Sequence, residues 1–185
     1  MNEIKIERVW AMPNKWTFKI KPISRFVGDY VGKKENKWGD PFAGFNSPAT
    51  YTNDLNPKAP TRDHRDALEW LKIWDDNQFD GILFDPPYSP RQVMECYKGF
   101  GMEKYNTKMN FWSDCKNEID RVVKPGGYVL CFGWNTMGMG KNRGYEMEHI
   151  LLVPHGGNKN DTICTAERKK DTLFSPQINK NLTLL

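Results

Sequence analysis

The sequence predicts an α/β fold: a doubly wound, mostly parallel sheet that ends in a C-terminal antiparallel hairpin. Short apolar runs alternate with amphipathic helical segments along the chain. Four unusual loops, DPFAG, NDLNP, DPPY and GWN, each follow a predicted strand, and ligands bind beyond the carboxyl ends of the strands in such sheets. The last two strand-like segments are separated only by the loop HGGNKND. The 185 residues suit a single domain covering 1–185, with 171–185 as a tail.

Apolar residues at helical spacing predict four helices, the first through Ile23, Phe26 and Val27. A proline in the first turn supports the third of them. The predicted helices cover about 22–32, 66–74, 90–97 and 110–123.

Strands are predicted where apolar runs are bounded by turn residues. FDGILF, at 79–84, suits a buried parallel strand, and YVLCFGW follows a turn at Gly126-Gly127. A short strand ends at 51–53, and 145–153 and 162–166 form the hairpin. The segment 36–39 is more polar than a central strand should be.

Composition limits the classes of function. The net charge of +4 is compatible with a polyanionic partner. No apolar run is long enough to cross a membrane, and MNEIKIERVW has no apolar signal region, so we expect a cytoplasmic protein. The four cysteines are widely spaced and the histidines complete no zinc spacing, so free thiols and no metal site are expected.

The segment Asp85-Pro86-Pro87-Tyr88 directly follows a buried strand. Two prolines keep the backbone extended and remove two N–H donors, which leaves carbonyl groups as acceptors beside the Asp85 carboxylate. An exocyclic amino group could donate both of its N–H bonds to this loop, while the Tyr88 ring stacks on a base. The alternative is a stiff structural turn.

These four residues resemble the catalytic motif of amino-methyltransferases that modify adenine N6, and the likeness extends from about Trp10 to Lys170. The chain is similar to small phage and prophage adenine-specific DNA methyltransferases. The resemblance implies a Rossmann-like class I methyltransferase fold, S-adenosyl-L-methionine as cofactor, and double-stranded DNA whose target base is flipped out. RNA adenine or cytosine N4 as the target, or a catalytically idle binding protein, remain alternatives.

The segment Asp40, Pro41, Phe42, Ala43 and Gly44 resembles the cofactor loop of that family. A glycine is needed where the backbone approaches the amino-acid end of the cofactor. The family usually has a second glycine where this chain has an asparagine.

Three further segments are candidates for cofactor binding. Asp54 follows a strand and could accept the ribose hydroxyls, unless it is a turn residue. The family pattern suggests Asp66 for the cofactor's adenine, although an N-cap is equally compatible. Thr17 and Phe18 occupy a place where the family often contacts the cofactor, and a structural strand or turn is the alternative.

Target binding is expected to involve the stretch that follows Tyr88, which mixes positive charge with aromatic rings. Its candidate residues are Arg91, Lys98, Lys104 and Tyr105. Asn135, after a later strand, could line the target pocket or cap a helix. No long insert for target recognition is present, so a homodimer is compatible with the sequence.

Overall fold

The computed structural model describes residues 3–32, 36–100, 110–157 and 159–171 and contains a seven-stranded sheet in the order β1-β6-β7-β5-β4-β2-β3. The two pairings of β7 are antiparallel, and the others are parallel. This confirms the predicted sheet and its C-terminal hairpin. The strands are β1 (Lys5–Arg8), β2 (Trp38–Asp40), β3 (Tyr51–Thr52), β4 (Phe79–Phe84), β5 (Val123–Gly133), β6 (Tyr145–Val153) and β7 (Thr162–Lys169).

Helices cover both faces of the sheet. One buried cluster packs α1 (Lys21–Val31) against one face, and a second packs α2 (Ala67–Lys72), α3 (Pro90–Gly99) and α4 (Phe111–Val122) against the other. Alternate side chains of β4 separate the clusters, since Leu83 belongs to the first and Ile82 to the second. Short 3-10 turns lie at Thr17–Lys19 and Lys141–Arg143.

The polar character of segment 36–39 argued against a central strand, and this expectation was wrong for Trp38 and Gly39. Both residues belong to β2, which is a fully buried internal strand. Gly81 of β4 makes room for the Trp38 ring, because a Cβ atom on Gly81 would lie 2.4 Å from that ring. Asp40 is buried with both carboxylate oxygens hydrogen-bonded. Neighbouring residues thus make a short polar strand compatible with the core.

β5 begins at Val123, directly after α4, and so starts three residues before the predicted turn at Gly126-Gly127. The strand is irregular at that turn, since Gly126 has a φ of +75° and the pairing with β4 passes from Val123–Phe79 to Tyr128–Gly81. β1 was not predicted at all. It lies at an edge of the sheet, and its side chains are mostly exposed. Ile4 and Ile6 alternate with polar residues there, but two apolar residues are too few to indicate a strand.

The four unusual loops come together as predicted. β2, β3, β4 and β5 are parallel, so their carboxyl ends lie at one edge of the sheet. The loops that begin at Asp40, Asn53, Asp85 and Gly133 leave from this edge, where ligands bind in open α/β sheets. Among the described helices, none is both long and apolar enough to span a membrane.

Candidate active site

Three cavities meet around the loop Asp85–Tyr88, two of them in the 300–1,000 Å³ range typical of small-molecule sites. The large cleft, of about 390 Å³, lies between this loop, the loops after β2 and β3, and α3. The aromatic pocket, of about 320 Å³, lies between the loop, α4 and the end of β5. The small pocket, of about 160 Å³, joins the loop to the 3-10 turn at Thr17–Lys19 and the loop after β2.

The loop Asp85–Tyr88 is the wall that these cavities share. Asp85 lines the large cleft and the small pocket, whereas Pro86 and Tyr88 line the large cleft and the aromatic pocket. Pro87 lines the large cleft alone. A group bound in one cavity can therefore meet a group bound in the next at this loop.

The Asp85 carboxylate accepts a hydrogen bond from the Tyr88 hydroxyl at 2.7 Å, and the Thr17 hydroxyl also bonds to it. Burial raises the pKa of Asp85 above its ordinary value, and these two hydrogen bonds oppose the rise. Burial and the Asp85 charge raise the pKa of Tyr88, which keeps its hydroxyl protonated.

Two side chains that the sequence analysis did not identify hold the loop in place. The N–H of Tyr88 donates to Gln92 Oε1 at 2.8 Å, and Trp112 Nε1 donates to the Pro87 carbonyl at 3.1 Å. Gln92 lies in the first turn of α3, which Ser89 caps through its hydroxyl. The sequence could have indicated this contact of Gln92, because a polar residue four positions after the motif tyrosine can reach back to its backbone. Trp112 carried no such signal, since it is brought in by α4.

The predicted loop Asp40–Gly44 divides its contacts between two cavities. Pro41 and Phe42 line the large cleft, and Phe42, Ala43 and Gly44 line the small pocket. Gly44 has a φ of +54°, a conformation that favours glycine.

Asp40 itself points into the protein and shapes this loop. It accepts hydrogen bonds from the Phe42 N–H at 2.9 Å and the Ser47 hydroxyl at 2.6 Å. Burial raises the pKa of Asp40 to about 7, and the charges of Asp85 and Asp54 act in the same direction. Three carboxyl groups therefore lie close enough in this region to influence one another.

Asp54 lines the large cleft, as its predicted role requires. Its Oδ2 accepts a 2.8 Å hydrogen bond from the Gly44 N–H, and its Oδ1 accepts one from the Asn56 N–H. Asp54 is therefore also a turn residue, which was the alternative to its predicted role. An ionised carboxylate has about four acceptor positions, so Asp54 can still accept hydrogen bonds from a ligand.

Asp66 is the N-cap of α2. This is the role that the sequence offered as the alternative to cofactor binding. Its Oδ1 accepts from the N–H groups of Leu68 and Glu69, and its Oδ2 accepts from the Tyr97 hydroxyl. Its neighbours Arg65 and Ala67, rather than Asp66, line the large cleft.

The N-terminal candidates lie at the small pocket. Thr17 and Phe18 both line it, beside Lys15 and Trp16. The Phe18 ring also packs edge-on against Phe132, with centroids 5.3 Å apart. This segment is a 3-10 turn, and its contact with Asp85 through Thr17 joins it to the motif loop.

The aromatic pocket contains side chains that the sequence analysis had not singled out. The Trp134 ring lies over Tyr88, with centroids 5.2 Å apart and 44% of Trp134 exposed. Trp112 and Lys116 of α4 complete the far wall. Asn135 lines the pocket too, and its side chain accepts a hydrogen bond from Met137 N–H within a turn, so it caps no helix.

The predicted target-binding residues are only partly described. Arg91 is exposed and forms a 2.7 Å ion pair with Glu95, and Lys98 is exposed on α3. Lys104 and Tyr105 lie outside the described residues. Within the described ranges, no group of three or more histidine, cysteine, aspartate or glutamate residues could hold a metal ion.

No protein-family model and no curated protein matches the sequence. Solved structures match the fold. TrmN from Thermus thermophilus has a TM-score of 0.55 at 17% identity over 81% of this chain and 49% of its own. A 1,6-didemethyltoxoflavin-N1-methyltransferase from Burkholderia thailandensis, with S-adenosylhomocysteine bound, has a TM-score of 0.55 at 12% identity, covering 82% and 78%. Escherichia coli yhhF has a TM-score of 0.53 at 9% identity, covering 86% and 91%.

These matches show the fold alone, which is the Rossmann-like fold of methyltransferases. The chain spans about half the length of TrmN and most of the length of the other two. The fold class that the family resemblance implied is confirmed.

Proposed function

We propose that this chain is an S-adenosyl-L-methionine-dependent methyltransferase that acts on N6 of adenine in DNA. The observation that carries this proposal is the position of the Asp85–Tyr88 loop as the shared wall of the three cavities. A methyl donor on one side of the loop and a base on the other would meet across Pro86 and Tyr88, which line both the large cleft and the aromatic pocket, with Asp85 beside them on the cleft side.

The cavities fit the cofactor by charge. S-adenosyl-L-methionine carries a sulfonium and an ammonium group, and the carboxyl groups of Asp40, Asp54 and Asp85 make this region favourable for cations. Asp54 would accept the ribose hydroxyls in the large cleft. Gly44 and Thr17 would hold the amino-acid end in the small pocket. When bound, the cofactor supplies an electrophilic methyl carbon.

The aromatic pocket fits a base taken out of the DNA stack. The Tyr88 ring offers a stacking surface, and the exposed Trp134 ring, inclined to it by 52°, supplies a second aromatic wall. Lys116 adds a positive charge to the wall of the pocket. A planar base with a negatively charged backbone suits this combination.

The chemistry follows from the hydrogen-bonding capacity of the loop. Asp85 accepts one N–H of the adenine amino group and the Pro86 carbonyl accepts the other, so the nitrogen lone pair turns toward the methyl carbon. Held by Asp54, Gly44 and Thr17, the cofactor would supply the methyl group to this nitrogen. The nitrogen becomes acidic during attack, and its proton passes to the Asp85 carboxylate, whose raised pKa favours acceptance. Positioning supplies most of the acceleration.

Methyl transfer from labelled cofactor to matched oligonucleotides tests the proposal. DNA and RNA of the same sequence are compared, and the products are digested to nucleosides. Label in N6-methyladenine from DNA is expected. Label in RNA only, or in N4-methylcytosine, would assign a different substrate, and cofactor binding without any transfer would indicate a binding protein.

A further inference from the structure

The strand β1 presents a free edge of the sheet and an apolar face beside it. It pairs with β6 on one side and, in the described part of the chain, with no strand on the other. Ile4 and Ile6 are 42% and 66% exposed. Ile150 and Leu152 of β6 lie half-buried on the same face, opposite Ile6 and Arg8 in the register.

The backbone of β1 has open hydrogen-bonding groups on alternate residues. Val9 and Ala11 donate their N–H groups to the carbonyls of Leu152 and Pro154, so odd-numbered residues direct their backbone toward β6. The backbone groups of Ile4, Ile6 and Arg8 therefore point outward. An exposed edge of this kind is a template for another strand.

We propose that two copies of this chain associate through β1, in an antiparallel pairing with its two-fold axis at Ile6. This inference does not depend on the proposed function. In that register each Ile6 faces the other and each Ile4 faces Arg8 of the second copy, as hydrogen-bonded pairs of an antiparallel ladder. The two apolar faces then form one continuous surface across the axis.

In this pairing the charged side chains of one β1 are complementary to those of the β1 strand of the second copy. Lys5 and Glu7 lie on the α1 face, where Glu7 contacts Arg25 and His149. The two-fold axis at Ile6 places Lys5 directly opposite Glu7 of the second copy, a stabilising cross-strand pair. A parallel pairing would lack this match.

Light scattering coupled to size-exclusion chromatography tests the proposal on the full chain over a wide range of concentration. We expect the mass of two chains for the natural sequence. Ile6→Pro removes an outward N–H that makes no bond to β6, so it should leave the β1–β6 pairing in place and reduce the mass to that of one chain. Ile6→Lys should do the same by placing two positive charges at the axis.

Ile73→Lys is the matched control, because Ile73 is 52% exposed at the end of α2 and its neighbour Trp74 packs on Tyr51 of β3, the strand at the opposite edge of the sheet from β1. It should keep the mass of two chains, and thermal unfolding should show all variants folded. A single-chain mass for the natural sequence overturns the proposal. So does a two-chain mass that persists in both Ile6 variants.

Discussion

The Tyr88 hydroxyl donates a 2.7 Å hydrogen bond to Oδ1 of Asp85, joining the two ends of the motif loop. The tyrosine thus has two separate contacts, since its ring lies against Trp134 while its hydroxyl bonds to the carboxylate. The bond favours the ionised form of Asp85, the form that the proposed mechanism requires.

Replacing Tyr88 by phenylalanine separates these two contacts. Tyr88→Phe keeps the stacking ring but removes a hydrogen bond that lowers the pKa of Asp85, so that pKa should rise. Because transfer is lost as Asp85 becomes protonated, the acidic limb of the pH–rate profile should move to higher pH. Thr17→Val should move it in the same direction. Profiles that superimpose on the wild-type curve would contradict the role of both bonds.

Trp134→Ala tests the aromatic pocket. Stacking of a base on an aromatic side chain contributes about 1–3 kcal/mol, so the KM for DNA should rise roughly 5- to 150-fold. Cofactor affinity should stay near the wild-type value, because Trp134 lines neither the large cleft nor the small pocket. Trp134→Phe retains a ring and should recover most of the loss. An unchanged KM in the alanine variant would place the base elsewhere.

Alanine variants of Asp54 and Asp66 distinguish a carboxylate that binds the cofactor from one that caps a helix. Asp54→Ala removes a carboxylate from the large cleft, and loss of hydrogen bonds to a charged group, about 1.5–3 kcal/mol, should weaken cofactor binding more than tenfold. Asp66→Ala removes the N-cap of α2, which should cost about 1 kcal/mol of stability with little change in affinity. Calorimetric titration and thermal unfolding distinguish the two. Weaker binding in Asp66→Ala than in Asp54→Ala would restore Asp66 to the cofactor site.

Asp40 should make the stability of the protein depend on pH. Its pKa is raised from 3.8 to about 7 in the folded chain, so its contribution to stability is fully present below pH 3.8 and is lost as pH rises through about 7. The difference corresponds to at most roughly 4 kcal/mol. Asp40→Asn should therefore show a smaller fall in unfolding free energy between these pH values. Parallel curves from denaturant titrations of the two proteins would refute this assignment.

Sequence reasoning found the elements that bury a periodic apolar stripe. α1 and α4 lie within about a residue of their predicted bounds, because Ile23, Phe26, Cys115 and Ile119 are core side chains at helical spacing. The loops Asp40–Gly44 and Asp85–Tyr88 were located because each follows a strand and combines unusual residues. Their meeting at one edge followed from the parallel sheet.

The remaining features depend on contacts between distant parts of the chain. β1 buries almost none of its side chains, and β2 is stabilised by a glycine on β4. The aromatic pocket unites Tyr88 with Trp112, Lys116 and Trp134 from α4 and the end of β5. No spacing in the sequence places these side chains together, whereas the predicted ends of strands did place Asp85 beside Asp40 and Asp54.

The most direct test of the account is methyl transfer to adenine-containing DNA by Asp85→Ala, measured beside cofactor binding by the same preparation. Asp85 is the acceptor on which the proposed geometry of the amino group and the departure of its proton depend. We predict wild-type labelling of N6-methyladenine, no detectable labelling by the variant, and cofactor affinity within a few-fold of wild type. Full transfer activity in Asp85→Ala would contradict the account.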